Sequence, residues 1–417
     1  MILPQSSRIL IIDDDPKEMQ PLLLALSRSE CSSVYFSGRD DAELPAEPFR
    51  DVRIAFLDLH LSDAVTGPAA AISSFAIDKL ARCVSAGSKY ILVAWTKHAD
   101  EITALKRDLV TARIPPIIPI IDLDKTACLS AGDPVKMIER KIRQKINSAP
   151  CDMFKFFLAW ENMVAASGAD VVNEFTELAG TDNLRLSDTL RRLAEANAGD
   201  MKTCNKVNDV AKNSLMALGG VLHGKLHDKI LVQNFRGMKT PVITNPPGGT
   251  KAATAEINRK LNIMKPMGAG VVPGNVYLSK RGKKALKEIV CPIYTDNSSV
   301  GDGAVASGLK AIFIEVSPVC DHAQGNVLHH RIVHGVMCPA DSADKFKNFS
   351  EDSFIYKSSF NFEHEGKIWK LFLNKRQFET RPAIKNFKLL FRIGYDWLFE
   401  IQHKIAGHGA RPGVTAL

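Results

Sequence analysis

The chain has no run of eighteen consecutive apolar residues, so a membrane-spanning helix is not expected. Its opening stretch, MILPQSSRIL, lacks the basic start and long apolar core of a secretory signal, and a cytoplasmic location is the expectation. None of the eight cysteines (Cys31, Cys83, Cys128, Cys151, Cys204, Cys291, Cys320, Cys338) stands in a CxxC pair, a distribution suited to reduced thiols rather than a disulfide framework. Walker A, kinase Gly-rich and GxSxG motifs are missing, as are internal repeats and low-complexity tracts. A winged-helix output domain would need three compact helices and a hairpin near the end of the chain, where the text reads mainly as strands.

What is there is ordinary globular composition, 45% hydrophobic and 24% charged, over 417 residues, a length that favours two domains or three. The charge is uneven. Residues 1–150 carry 19 Lys+Arg against 20 Asp+Glu, whereas residues 151–417 carry 35 against 26. That asymmetry points to two separate jobs.

Residues 1–147 read as an α/β domain of five strands and five helices in strict alternation. RILII, SSVYF, VRIAFLDL, KYILVAW and PPIIPII are the strands; their continuous apolar runs suit a parallel sheet covered on both faces. Residues 148–235 carry apolar residues at three- and four-residue spacing and read as helical. Residues 236–417 read as an α+β domain. In it a Pro/Gly-rich connection surrounds the helical stretch ATAEINRKL, strands follow over 308–375, and FKLLFRIGYDWLFEIQHKIAGH closes as a helix. Tyr395, Trp397, Leu398, Ile401 and Ile405 of that helix are expected in a core or on a helix-pairing face.

RILII runs straight into three aspartates. Two carboxylates about 4 Å apart repel by roughly 4 kcal/mol at an effective dielectric near 20, so such a block needs solvation, a capping role or a cation. Ligands of open parallel sheets bind at the carboxyl ends of the strands. Asp13 and Asp14 stand at the end of the first strand, Asp58 of the third, Thr96 of the fourth, and Lys125 follows the fifth. Three carboxylates, a hydroxyl and an ammonium at one edge suit a hard cation such as Mg²⁺ and a phosphoryl group.

On IIDDDP, LDLHLSD, Thr96 and Lys125, the first domain resembles the flavodoxin-like receiver domain of two-component response regulators. The resemblance implies that Asp58 accepts a phosphoryl group from a histidine kinase, with Thr96 and Lys125 assisting. It also implies that Asp13, Asp14 and Asp58 hold Mg²⁺ together with the backbone carbonyl of His60. Such domains commonly dimerise, so a homodimer and an effector protein join the kinase as implied partners. The chain departs from that family in several places: the interval from Asp58 to Gly67 is one residue longer, Thr126 replaces a proline after the lysine, the fifth strand lacks an aromatic switch, and the intervals from Asp58 to Thr96 and from Thr96 to Lys125 are longer than typical.

The second half offers weaker signals. EVSPVCDHAQGNVLHHRIVHGVMCP brings together Cys320, Asp321, His322, His329, His330, His334 and Cys338, all potential zinc ligands, though at no finger spacing. A plain strand-and-turn reading is favoured over a metal-dependent enzyme or toxin, and over a Cys320 nucleophile with His322 or His334 as its base. His223 and His227 share a helix face without the glutamate of a metalloprotease motif. The basic run LSKRGKKALKEI, with Lys280, Arg281, Lys283 and Lys284, reads as a solvated helix face, so nucleic acid is not the expected partner. VSPVCDH, RIVHG and EIQHKIAGHGARPG loosely resemble C-terminal halves joined to receivers in bacterial phage-defence systems, which implies a defensive setting.

Overall fold

The computed structural model describes residues 8–61, 68–112, 116, 120–149, 152–180, 182–198, 207–233, 250–266, 270–280, 308–323, 327–345 and 354–409. Its contacts divide the chain into two compact units, residues 1–182 with 219–241, and residues 183–218 with 242–417.

The first unit is built on a five-stranded parallel sheet: β1 (Arg8–Ile12), β2 (Ser33–Phe36), β3 (Val52–Leu57), β4 (Ile91–Thr96) and β5 (Ile121–Asp124), in the order β2-β1-β3-β4-β5. That order is the flavodoxin-like doubly wound one, with its direction change at β1 and β3. Strand periodicity explains the continuous apolar text. Ile9 and Ile11 face a core shared with α1 (Pro16–Arg28) and α5 (Pro134–Ser148), while Leu10 and Ile12 face α2 (Ala69–Cys83) and α3 (Ile102–Leu109). All four are fully buried, and each such side chain contributes about 1.5–3 kcal/mol of burial.

The fifth strand departs from expectation. Pro116 and Ile120 lie outside any strand, and pairing with β4 begins only at Ile121. Prolines lack the N–H that a ladder needs, so β5 starts past the last of them and alternates buried and exposed residues as an edge strand. Most of PPIIPII (115 and 117–119) lies outside the described residues. Lys125 opens the short helix α4 (Lys125–Leu129), capped by the Asp124 carboxylate accepting from Ala127 N.

The helical stretch comprises α6 (Asp152–Ala179), α7 (Asn183–Ala198) and α8 (Val207–Val232). Helix α6 is fastened to the sheet unit: Phe154 and Leu158 join the α1/α5 core, and Arg53 of β3 grips the Glu161 carboxylate at 2.6 Å. Lys155 donates to the carbonyls of Asn147 and Ala149, closing the C-terminal end of α5. Residues 219–232 of α8 pair with α6 through Lys229 and Asp170 at 2.7 Å. Residues 207–218 belong to the second unit, where Ser214 donates to the Leu190 carbonyl of α7 at 2.7 Å.

The second unit carries α9 (Lys251–Asn262) and an antiparallel sheet, eight-stranded among the described residues: β6 (Ile263–Met264), β7 (Asn275–Leu278), β8 (Lys310–Glu315), β9 (His330–Pro339), β10 (Ile355–Lys357), β11 (Phe362–His364), β12 (Lys367–Arg381) and β13 (Leu389–Ile393). Short helix α10 (Val319–Ala323) follows β8, and α11 (Tyr395–Gly409) closes the unit. One expectation changes here. LLFRI is a strand rather than the start of the closing helix, because it pairs with Asn275–Leu278 and the helix begins only after Gly394. Its partner NVYL directly follows the Pro/Gly-rich connection. Trp397, Leu398 and Ile401 are buried in the main core of this unit with Ile405 packed beside them, while Tyr395 stays 40% exposed.

Candidate functional site

The three consecutive aspartates take three different roles. Asp15 caps α1, its carboxylate accepting from Lys17 N at 2.8 Å. Asp14 is half-buried and pairs with Arg39 at 3.2 Å. Asp13, one residue past β1, is fully buried.

Lys125, itself 1% exposed, reaches Asp58 Oδ2 at 2.7 Å, Asp13 Oδ2 at 2.8 Å and Glu18 Oε2 at 3.0 Å. Asp58 stands one residue past β3, where its backbone N–H donates to the Ile12 carbonyl and its Oδ1 accepts from Leu59 N at 2.7 Å. Asp13 accepts further bonds from Asp15 N at 2.9 Å and from Trp95 Nε1 at 3.1 Å. Carboxylate oxygens of Asp13, Asp14 and Asp58 lie within 4.8 Å of one another. Thr96, at the end of β4, is 2% exposed; its Oγ1 accepts from His98 N at 3.1 Å and keeps its own proton to donate.

Burial pushes the Asp13 carboxyl up to about 6, and the Lys125 charge only partly opposes this. Burial pulls the Lys125 ammonium down, but the Asp58 and Asp13 carboxylates outweigh it and hold it above its ordinary value. Adjacent to this site, the His60 imidazole meets Glu101 Oε2 at 2.8 Å and packs against His98 with ring centroids 4.0 Å apart and planes tilted by 38°.

The structure thus gathers Asp13, Asp14, Asp58, Thr96 and Lys125 at one sheet edge. His60, expected to matter only through its carbonyl, also carries a side-chain cluster of its own. Sequence reasoning missed Glu18, Arg39, Trp95, His98 and Glu101. Glu18 had a signal, since Asp15-x-x-Glu18 has the spacing of a capping box, yet the glutamate turns to Lys125 and Lys97 instead.

In the second unit the residues of 315–339 divide: His322 and His330 both approach Glu315, whereas Cys338, His334, Asp321 and His329 are not part of that group. Cys338 is buried in β9, donates to the Pro339 carbonyl, and has its thiol pushed up to about 12 by burial, so it is an inert core thiol. His334 pairs with Glu379 at 3.1 Å, Asp321 lies 3.9 Å from Arg331, and His329 is exposed. The side chain of Cys320 lies outside the described residues, as do Cys151, Cys204, Cys291 and residues 281–289 of the basic run. Lys280 lies over the Phe387 ring at 5.5 Å, and both His223 and His227 are exposed on α8. No helix among the described residues is long and apolar enough to cross a membrane. No protein-family model matches the chain, and no curated protein matches it.

Proposed function

We propose that the chain is a two-component-type signalling protein that accepts a phosphoryl group on Asp58 and uses the added charge to control its second unit or a partner. The observation that carries this reading is the Lys125 ammonium shared between Asp58 and Asp13 at 2.7 and 2.8 Å. A core ion pair needs one carboxylate per ammonium; a second buried carboxylate on the same ammonium keeps a place for more positive charge.

The residues fit Mg²⁺. The donor set is all oxygen, and Asp13 is a carboxylate whose burial, only partly offset by the shared Lys125 ammonium, pushes its carboxyl up to about 6. Asp13, Asp14 and Asp58 would hold the ion, which when bound supplies positive charge opposite the phosphoryl oxygens.

The chain's own groups do the rest. Leu59 N and Lys125 fix both oxygens of Asp58, so its carboxylate is oriented before a donor arrives. Its oxygen bonds to phosphorus as the P–N bond of a kinase phosphohistidine breaks, and the departing imidazole takes up a proton. Lys125 follows the charge onto the phosphoryl oxygens, and the Thr96 hydroxyl donates to one of them. The acyl phosphate carries up to about two negative charges where the carboxylate carried one, drawing Lys125 away from Asp13 and Glu18.

Incubation with Mg²⁺ and a small phosphodonor such as acetyl phosphate should add one phosphoryl mass to the intact chain, and Asp58→Ala should abolish the gain. An unmodified wild-type mass, or a gain that survives Asp58→Ala, would overturn the proposal.

Metal affinity should depend on pH through Asp13. Its folded-state pKa of about 6 lies above the ordinary 3.8, so the metal-free protein binds an extra proton between these values and loses stability as pH rises through that window. The loss amounts to about 3 kcal/mol at most and is complete above pH of about 6. Mg²⁺ should therefore raise the melting temperature more at a pH of about 7.5 than at about 5, where Asp13 holds its proton. Equal shifts at both values would remove Asp13 from the ligand set.

A further inference from the structure

Glu315 ends β8 and is fully buried. Among the described residues no lysine or arginine pairs with it; its charged-group neighbours are two imidazoles, His322 Nε2 at 3.5 Å and His330 Nδ1 at 3.6 Å. A carboxylate removed from water without a cation is strongly disfavoured, so this one needs a positive partner. We propose that Glu315, His322 and His330 form a mononuclear site for a divalent first-row transition metal, independent of the Asp58 site and of the reading placed on it.

The spacing favours an ion over direct hydrogen bonds. At 3.5 and 3.6 Å the two Glu–His contacts stand at or beyond the hydrogen-bonding limit. Two donors about 2.1 Å from a shared tetrahedral ion lie about 3.4 Å apart, close to what is found here. His330 Nδ1 is a buried nitrogen with no hydrogen-bond partner among the described residues. One donor atom from each of the three residues falls within 4.8 Å of the others.

The fold builds the site from its sheet. Glu315 lies opposite Ile332 in the β8/β9 ladder, and His330, two residues before Ile332, projects from the same face. The turn after β8 then brings in His322 on α10. That turn is pinned: Ser317 N donates to Glu315 Oε2 at 3.3 Å, Ser317 Oγ accepts from Arg331 N at 2.9 Å, and Gln402 of α11 donates to the carbonyls of Val316 and Ser317. Oε2 is thereby occupied and Oε1 is left facing both imidazoles, the outer-shell arrangement that orients metal ligands.

Two nitrogens and one carboxylate oxygen suit Zn²⁺, Fe²⁺ or Co²⁺ rather than Mg²⁺. Three protein donors, the set found among the described residues, leave a position for water, and both imidazole side chains, 14% and 16% exposed, reach solvent. That is the pattern of a reactive rather than a closed structural centre.

The test uses the full chain without an affinity tag, titrated with Zn²⁺ and with Co²⁺, and read by elemental analysis and the visible Co²⁺ spectrum. The background is His60→Ala/His98→Ala, which removes the other histidine cluster. One ion per chain is expected. Glu315→Gln, which keeps shape and removes charge, and His330→Ala should each weaken binding at least about 100-fold. If either buried variant fails to fold, His322→Ala on the short helix carries the same expectation. No ion at micromolar free metal, or one retained in a folded His322→Ala variant, would overturn the proposal. Asp58→Ala should leave binding unchanged, so this result and the phosphorylation result stand or fall separately.

Discussion

Lys125→Met is expected to destabilise the first unit by about 3–5 kcal/mol at neutral pH, the range for removing one partner of a buried ion pair. Methionine keeps most of the stem volume, so the loss is electrostatic. It leaves Asp13, Asp58 and Glu18 facing one another with their common ammonium gone. Without that ammonium the Asp13 carboxyl, already pushed up to about 6 by burial, rises further above its unfolded value. The penalty is then full above that raised value and fades as pH falls, because protonation relieves the repulsion. Urea titrations near neutral pH and at about pH 5 should give a large loss and a small one, with Mg²⁺ recovering part of the first. Phosphorylation should also slow markedly, since the group that pairs with the transferred phosphoryl is missing. A loss below about 1 kcal/mol at neutral pH would mean that Lys125 is not the buried bridge described here.

Gly335→Ala should have an effect of similar size in the other unit. Gly335 lies mid-strand in β9, opposite Ile312 of β8 and Leu373 of β12. A Cβ there would overlap the Phe372 carbonyl oxygen and come within 2.5 Å of Leu373 Cδ2. The clash is with backbone in the middle of the sheet, so rotamer changes cannot relieve it. A cost of about 3 kcal/mol or more follows, at the upper end for overpacking. Calorimetry of the full chain should show one transition lowered strongly, while phosphodonor labelling of Asp58 persists. Loss of labelling with intact second-unit melting would contradict this assignment.

Legibility in the sequence followed the range of the forces involved. Strands β1, β3 and β4 could be read because a strand buried on both faces must be apolar throughout, and RILII, VRIAFL and ILVAWT are nearly so. The start of β5 could not, because hydrophobicity marks PPIIPII as a strand while missing N–H groups forbid one. LLFRI continues into YDWLFEI with helical spacing, and only its partner at 275–278, more than a hundred residues away, makes it a strand.

The same divide runs through the two sites. Asp13, Asp58, Thr96 and Lys125 were visible because strand ends of a parallel sheet converge by topology. Trp95 was not, since its bond to Asp13 crosses from β4 to β1 through the core. In the second unit, attention fell on a run of cysteines and histidines, whereas the residue that unites His322 and His330 is Glu315. It reads in sequence as the end of an apolar strand, and only the turn after β8 reveals it as the carboxylate between two imidazoles.

The central claim is an acyl phosphate on one named carboxylate, and reduction of the phosphorylated protein with borohydride tests it most directly. Borohydride converts an aspartyl phosphate to homoserine, and peptide mass mapping then locates the converted residue. The account predicts conversion at position 58 alone, dependent on Mg²⁺ and phosphodonor and absent from mock-treated protein. Conversion at Asp13 or Asp14, or none anywhere in a protein that binds Mg²⁺, would contradict it.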